Sequence, residues 1–176
     1  MLVRFQMERI DNIEQVKEKV LSDMNTFLTS VREFAGENVE DLGVGLSKLR
    51  SIRSSVYENL NQIQHEYLIL QGLIWLNSNG CAHPETQWYW NPRQTGDSSE
   101  PDLRGIYEGQ VVISAEATTS EKPQGVIDSR MRKTMAKLNQ MEGKKFYFIR
   151  TNAMEMRANT KRTNNDWQIT VVKLDG

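Results

Sequence analysis

Two carboxylates, Asp102 and Glu116, stand at the two ends of a segment with the pattern of a β-hairpin. Asp102 follows Pro101 and precedes one short strand, and Glu116 closes the next strand after the apolar β-branched run Val111–Ile113. Acidic side chains avoid burial unless they have a partner. Since hard divalent cations such as Mg²⁺ prefer oxygen ligands, we interpret the end of this hairpin as a candidate metal site.

Two long amphipathic segments precede these acids and would support them. Apolar residues recur at three- and four-residue steps from Ile10 to Phe34, and again from Leu46 to Ile74. The first run ends near Gly36, so we expect an antiparallel helical hairpin or a coiled-coil-like arm. Two interpretations of the stripes stay open: packing within the molecule, and dimerisation through the arm. We expect His65, late in the second run, to be a surface or hydrogen-bonded core residue rather than a metal ligand.

The remaining elements alternate between strands and one further helix. Glu108 and Gly109 are the expected hairpin turn, because Gly supplies the positive φ that such turns require. We expect residues 151–165 to form a polar connection without regular structure. The expected elements are a strand at 86–90, hairpin strands at 103–107 and 110–118, a helix at 126–141, and strands at 145–150 and 167–174.

This order of elements, together with Pro101, Asp102 and Glu116, resembles the PD-(D/E)XK nuclease superfamily, which has a restriction-endonuclease-like αβββαβ core. In that family an Asp, often after Pro, starts one hairpin strand, and an acid followed two positions later by Lys ends the next. The resemblance covers residues 63–174 and implies a mixed α/β sheet. It implies that the protein is a Mg²⁺-dependent DNA endonuclease, for which the restriction type is one option, with Mn²⁺ as a substitute metal.

The resemblance also implies roles for individual residues. Asp102 and Glu116 would be metal ligands, the Ala117 carbonyl would be a third, and Glu66 would bind a second ion or a bridging water. Thr118 departs from the pattern, because it stands where the family has the Lys that orients or activates the attacking water. Three cations are within reach as replacements: Lys122, Arg130 and Lys133. Glu100 is expected to be solvated.

Basic residues follow the candidate metal site. Arg130, Lys133 and Lys137 share one helical face, and at the mouth of the same cleft they would bind phosphates without reading sequence. A second basic group would form another rim or simply belong to a mobile loop: Arg157, Lys161 and Arg162. The alternative interpretation of the first group is an ordinary solvated helix face.

Composition sets limits on these interpretations. The chain of 176 residues is long enough for one sizeable core, which we divide into an arm at 1–62 and a nuclease-like core at 63–176. The net charge of −1 means that a nucleic-acid surface would have to be a local patch. The single cysteine, Cys81, favours a reducing compartment, and neither a secretion signal nor a membrane span is evident. We therefore expect a cytoplasmic protein.

Two other functions remain compatible with the sequence. Thr118 and the near-neutral charge are compatible with a non-catalytic module that binds DNA or protein on a nuclease-like fold. If the helical arm is the primary feature, the chain would be an oligomerisation or adaptor protein with ordinary surface acids in its hairpin.

Overall fold

The computed structural model describes residues 7–36, 38–92 and 99–174. Four helices and a six-stranded mixed sheet occupy these residues, which confirms the expected mixed α/β class. The elements are β1 (Glu8–Ile10), α1 (Ile13–Ala35), α2 (Leu42–Ser78), β2 (Gln87–Trp90), β3 (Leu103–Tyr107), β4 (Gln110–Ala117), α3 (Val126–Asn139), β5 (Lys144–Ile149), α4 (Asn152–Asn164) and β6 (Ile169–Lys173).

The strands are arranged in the order of the chain. The pairs from β1 to β4 are antiparallel, whereas β4, β5 and β6 are parallel to one another. Parallel neighbours require a crossover, and α3 and α4 supply the two crossovers here. Strand β4, which carries Glu116, is therefore central, with a hairpin partner on one side and a parallel strand on the other.

The sheet is covered on both faces. The second half of α2 packs on one face, where Leu73, Ile113 and Phe148 belong to one buried cluster. Helix α2 approaches the sheet closely at Gly72, because a Cβ there would lie 2.5 Å from a ring carbon of Phe148. Helices α3 and α4 cover part of the other face, where Met135 and Tyr147 belong to a second cluster.

The hairpin that carries the two acids forms as the sequence predicts. Its turn residues Glu108 and Gly109 have φ angles of 50° and 75°, both in the left-handed region that a tight two-residue turn uses. The helical hairpin of α1 and α2 also forms, and each helix begins with a side-chain cap, from Asn12 and Asp41 respectively.

The expectation for residues 151–165 was wrong, because helix α4 occupies Asn152–Asn164. Thr151 caps this helix through a hydrogen bond from the Met154 N–H to its hydroxyl. The helix buries a narrow stripe, Met154, Ala158 and Lys161, and the rest of its sequence is polar. So narrow a stripe gives little apolar periodicity to detect.

The arm is joined to the core through β1 and through α2. Strand β1, which was not expected, lies before the arm and pairs with β2 at the edge of the sheet. The boundary drawn between residues 62 and 63 lies within the continuous helix α2. None of the described helices has both the length and the apolar composition needed to cross a membrane.

Candidate active site at the end of the hairpin

The two hairpin acids are buried beside each other. Asp102 is 1% exposed and Glu116 is 2% exposed. The register pairs Leu103 with Ala115, which places the residue before Leu103 next to the residue after Ala115. The hairpin therefore brings together two carboxylates that are fourteen positions apart in the sequence, as the acid pattern predicted.

Asp102 is held through one of its two oxygens. Its Oδ2 accepts a hydrogen bond of 2.7 Å from the Ala117 N–H and lies 3.2 Å from Nε2 of His65. Its Oδ1 is buried and has no hydrogen-bond partner among the described residues. A buried carboxylate oxygen without a partner is costly, so this atom marks a place where a cation or a donor would be stabilising.

Glu116 receives a cation from helix α3. Nζ of Lys137 forms an ion pair with Oε1 of Glu116 at 2.6 Å. Burial, and then the negative charge of Asp102, raise the pKa of Glu116 to about 8 against the opposing effect of Lys137. Glu116 therefore retains its proton up to about neutral pH despite the neighbouring ammonium group.

Thr118, at the position of the family's lysine, joins the end of β4 to β5. Its N–H donates to the Phe148 carbonyl at 3.0 Å. Its side chain hydrogen-bonds the buried Tyr147 hydroxyl, whose pKa is raised by burial and by the charges of Glu116 and Asp102. Thr118 and Tyr147 are thus polar neighbours of the two acids, but they carry no positive charge.

His65 is a site residue that sequence reasoning missed. Burial alone would lower its pKa, but the hydrogen bond and charge of Asp102, the charge of Glu66 and the Ala117 carbonyl raise it overall. The imidazole therefore lies between Asp102 and the Ala117 carbonyl. The available signal was the position of His65 on the part of α2 that packs against the sheet. His65 also directly precedes Glu66, a predicted site acid.

Glu66 is fully buried but belongs to a neighbouring network. Its Oε1 accepts from Lys19 at 2.9 Å and from Gln62 at 3.1 Å, while Oε2 has no partner among the described residues. Lys19 comes from α1 and also binds Asp23 at 2.7 Å. Burial raises the pKa of Glu66, against the effect of Lys19. The role of Glu66 at a second ion or a bridging water stays a prediction.

The carboxylates of Asp102 and Glu116 lie at this site, and the Ala117 carbonyl stays a predicted third ligand. Within the described ranges, no three or more His, Cys, Asp or Glu side chains are grouped as a ready metal site. Mg²⁺ does not need such a group, because it keeps several waters and commonly binds through one or two carboxylates. The unpartnered Asp102 oxygen and the raised pKa of Glu116 fit such a cation.

The cations proposed to replace the missing lysine occupy different places. Lys122 is exposed in the loop after β4, and Arg130 and Lys133 are exposed on α3. Lys137, which we expected to contact phosphate, is the one found against Glu116. The structure thus brings Lys137 into the acid pair.

Two of the three residues in the second basic group already form ion pairs within the protein. Arg157 and Lys161 bind the Asp128 carboxylate at 2.6 Å and 2.9 Å, which links α4 to α3, and Arg162 is half-buried. The phosphate-binding roles of these three residues stay predictions. Glu100 is not solvated as expected, because Arg104 lies 2.5 Å from its carboxylate and both side chains are mostly buried.

Comparisons with protein-family models, with curated proteins and with solved structures found no match to this chain. Any assignment of function therefore depends on the side chains gathered at the end of the hairpin.

Proposed function

We propose that this protein is a Mg²⁺-dependent endonuclease that hydrolyses phosphodiester bonds in DNA, with the restriction type as one form of that activity. One observation carries the proposal: Asp102 and Glu116 are buried beside each other, and the pKa of Glu116 is raised to about 8 although Lys137 lies next to it. A buried acid pair in which ionisation of the second carboxyl is unfavourable until a cation binds is typical of a functional site. Mn²⁺ would substitute for Mg²⁺.

The metal would be held by the carboxylates of Asp102 and Glu116 and by the Ala117 carbonyl. When bound, Mg²⁺ stabilises the charge that develops on the phosphate and makes a bound water more acidic. Asp102 would bind through its unpartnered Oδ1, because Oδ2 is occupied by the Ala117 N–H. A hairpin with both strands inside the sheet holds these oxygens in place before any substrate arrives.

Lys137 would perform the role of the lysine that the nuclease pattern has at the position of Thr118. Its ammonium group lies 2.6 Å from Glu116 Oε1, so it would be beside a water held at the acid pair. Thr118 offers only a hydroxyl, and that hydroxyl is engaged with Tyr147. The catalytic cation would thus come from α3 rather than from β4.

His65 would position Asp102. The imidazole and the Ala117 N–H bind the same carboxylate oxygen, so they set the orientation of the other oxygen. Partners of this kind, one shell outside a metal, hold the ligand in the geometry that the metal needs.

DNA would be held by cations around this cleft. Arg130 and Lys133 are exposed on the same helix as Lys137 and would contact phosphates, which gives affinity without sequence recognition. Arg157, Lys161 and Arg162 on α4 would extend this surface. A homodimer would offer two such sites to the two strands of a duplex.

A second candidate function has one observation in its favour. Thr118 stands at the lysine position and offers no positive charge there. A non-catalytic module that binds DNA would have this feature. It would retain DNA in the presence of Mg²⁺ or Mn²⁺ without cutting it.

Cleavage of supercoiled plasmid distinguishes the two functions. The proposed nuclease nicks or linearises plasmid in Mg²⁺ or Mn²⁺, stops in chelator, and loses activity in Asp102→Asn and Glu116→Gln. Glu121→Gln is the matched control, because Glu121 is exposed in the loop just beyond the hairpin. Full activity in both acid variants would refute the assignment, and DNA binding by an intact protein that never cleaves would favour the second function.

A further inference from the structure

One face of the sheet is only partly covered by helices. The buried cluster beneath α3 and α4 contains Tyr147 and Ile149 of β5 and Ile169 of β6, and among the described residues none of its members comes from β1, β2 or β3. On the opposite face, Trp88 and Trp90 of β2 belong to the cluster beneath α2 and are 7% and 3% exposed. The face of β1–β3 that points away from α2, here called the open sheet face, therefore lies beside α3 without being covered by it.

Glu116 lies at the border of the open sheet face. Its side chain reaches Lys137 of α3, so it is on the side of the sheet that α3 covers in part. In β4, Ser114 is two residues before Glu116 and shares its side, and Arg104 of β3 pairs with Ser114. Arg104 in turn pairs with Tyr89 of β2. Glu116, Arg104 and Tyr89 therefore point to the same side of the sheet.

Tyr89 presents an aromatic ring on the open sheet face. Its side chain is half-buried, and its hydroxyl donates a hydrogen bond of 3.4 Å to the exposed Gln87. None of the contacts between aromatic rings in the described part of the chain involves Tyr89. Because a tyrosine ring combines an apolar body with a polar tip, a ring in this position offers a surface on which a flat ligand group can stack.

Helix α3, beside the open sheet face, is strongly basic. Its residues 129–139 contain no acidic side chain and four basic ones: Arg130, Arg132, Lys133 and Lys137. Asp128, in the first turn, is bound by Arg157 and Lys161 on the side of α4. Glu121 and Glu142 lie outside the helix, in the segments before and after it. The positive charge of α3 is therefore available to an anionic ligand.

The open sheet face itself is close to neutral. Arg9 forms an ion pair with Asp11 at 3.3 Å, and Arg104 forms one with Glu100 at 2.5 Å. A polyanion beside α3 would therefore place its charged backbone toward the helix and its uncharged groups toward the open sheet face. A positively charged groove together with an aromatic side chain on which bases stack is typical of sites that bind single-stranded nucleic acid.

We propose that an unpaired segment of the DNA substrate lies along the corner between α3 and the open sheet face, with its phosphates toward Arg130 and Lys133 and one base stacked on Tyr89. The base must be unpaired, because in a duplex neighbouring bases cover both of its faces. Tyr89 is two strands from Glu116, about 10 Å across the sheet, so the stacked base belongs to a nucleotide beside the one that is cut.

This proposal rests on the nuclease assignment and deepens it, because it names DNA with unpaired bases beside the scissile bond as the substrate. Supercoiled plasmid also supplies such bases, because negative supercoiling favours local opening of the two strands.

Fluorescence anisotropy of a short oligothymidylate in chelator measures this contact without cleavage. Tyr89→Ala is expected to raise the Kd by about 5- to 150-fold, the range for losing one stacked base. Tyr89→Phe keeps the ring and is expected to bind as the wild type does. Tyr57→Ala is the matched control, because Tyr57 is 70% exposed on the arm, and it should leave the Kd unchanged. Equal Kd values for Tyr89→Ala and the wild type, or an equal loss in Tyr89→Phe, would overturn the proposal.

Photochemical cross-linking locates the contact in the unaltered protein, so it does not depend on whether a variant folds. An oligothymidylate that carries one 5-iodouracil base is expected to be joined to Tyr89 on irradiation, and peptide mapping identifies the linked residue. Linkage to the arm or to α4 instead would contradict the proposed path of the strand, and so would the absence of any protein–DNA adduct.

Cleavage rates on two oligonucleotides separate this proposal from the nuclease assignment. A duplex with a single-stranded tail is expected to be cut faster than the same duplex without the tail, and Tyr89→Ala is expected to abolish this preference. Loss of cleavage in Asp102→Asn together with an unchanged preference in Tyr89→Ala would overturn the Tyr89 contact alone. Binding that depends on Tyr89 in a protein that cuts no DNA would support the contact and refute the nuclease assignment.

Discussion

Lys137 Nζ lies 2.6 Å from Glu116 Oε1, so a cation from the crossover helix α3 reaches the acid on the central strand β4. The chain has no lysine two positions after Glu116, where Thr118 stands. The contact supplies the site with a positive charge from another element, and it leaves the position of Thr118 free to bond Tyr147. The proposed chemistry depends on this replacement.

Replacing Lys137 by Met is expected to reduce DNA cleavage by about 10²- to 10⁴-fold, the usual range for a group that assists proton transfer. The pKa of Glu116 would rise further, because the change removes a charge that lowers it. Initial rates on plasmid in Mg²⁺, measured across pH, check this. Lys133→Met is the control on the same helix, and it should weaken DNA binding in low salt with a smaller effect on the rate at saturating DNA. Equal effects of the two changes would contradict the catalytic role of Lys137.

Glu116 makes the stability of the metal-free protein depend on pH. Its folded-state pKa of about 8 lies above its ordinary value of 4.5, so the native state binds the extra proton between these values. The free energy of unfolding should therefore fall as pH rises from about 4.5 to 8, by on the order of a few kcal/mol.

Urea unfolding in chelator at pH 5, 7 and 9 measures this dependence. Glu116→Gln should flatten it and should be more stable than wild type at pH 9. A smaller pH dependence of the free energy of unfolding should remain in Glu116→Gln, because the pKa of His65 is also raised in the folded state. The stability that this gives is present below pH 6.5 and is lost as pH rises through the folded-state pKa of His65. An identical slope in both proteins would show that Glu116 is not held in this environment.

His65→Ala should raise the Mg²⁺ concentration needed for half-maximal cleavage by about 10- to 100-fold, the range for losing a partner that orients a metal ligand. The reason is that Asp102 Oδ2 would keep only the Ala117 N–H as a donor. A Mg²⁺ titration of the cleavage rate measures the change, and activity should return at high Mg²⁺. A variant with an unchanged Mg²⁺ requirement would contradict the positioning role.

The contacts of Asp128 with Arg157 and Lys161 predict a structural contribution from α4. The two cations hold the pKa of Asp128 well below its usual range, so their stabilisation is present above pH 3.8 and is lost as pH falls through the lower folded-state value. Asp128→Asn should therefore lower the Tm at pH 7 by roughly 1–4 °C, and this difference should shrink in strong acid. Differential scanning calorimetry at pH 7 and pH 3 checks both statements.

The hairpin and its acids could be predicted because their signals are local. The alternation of apolar residues, the turn at Glu108 and Gly109, and the position of Glu116 are all contained in one stretch of sequence. Helix α4 was missed because its buried stripe is narrow and its other residues are polar. Strand β1 has three residues, too few for a periodic pattern, and its existence depends on pairing with β2.

The cations and donors around the acids could not be assigned from local pattern. Lys137 reaches Glu116, and His65 reaches Asp102, only because α3 and α2 cross opposite faces of the sheet at particular positions. Glu100 was expected in solvent because its partner Arg104 lies on the following strand and turns back toward it. Such contacts depend on how whole elements pack, which spacing along the chain does not specify.

The most direct test of the proposed function is calorimetric titration of Mn²⁺ into the wild-type protein and into Asp102→Asn/Glu116→Gln, followed by plasmid cleavage with the same samples. The proposal predicts that the wild-type chain binds Mn²⁺ and cuts DNA, and that the double variant does neither while its urea unfolding remains cooperative. Equal Mn²⁺ binding by the two proteins, or DNA cleavage by the double variant at the wild-type rate, would contradict it.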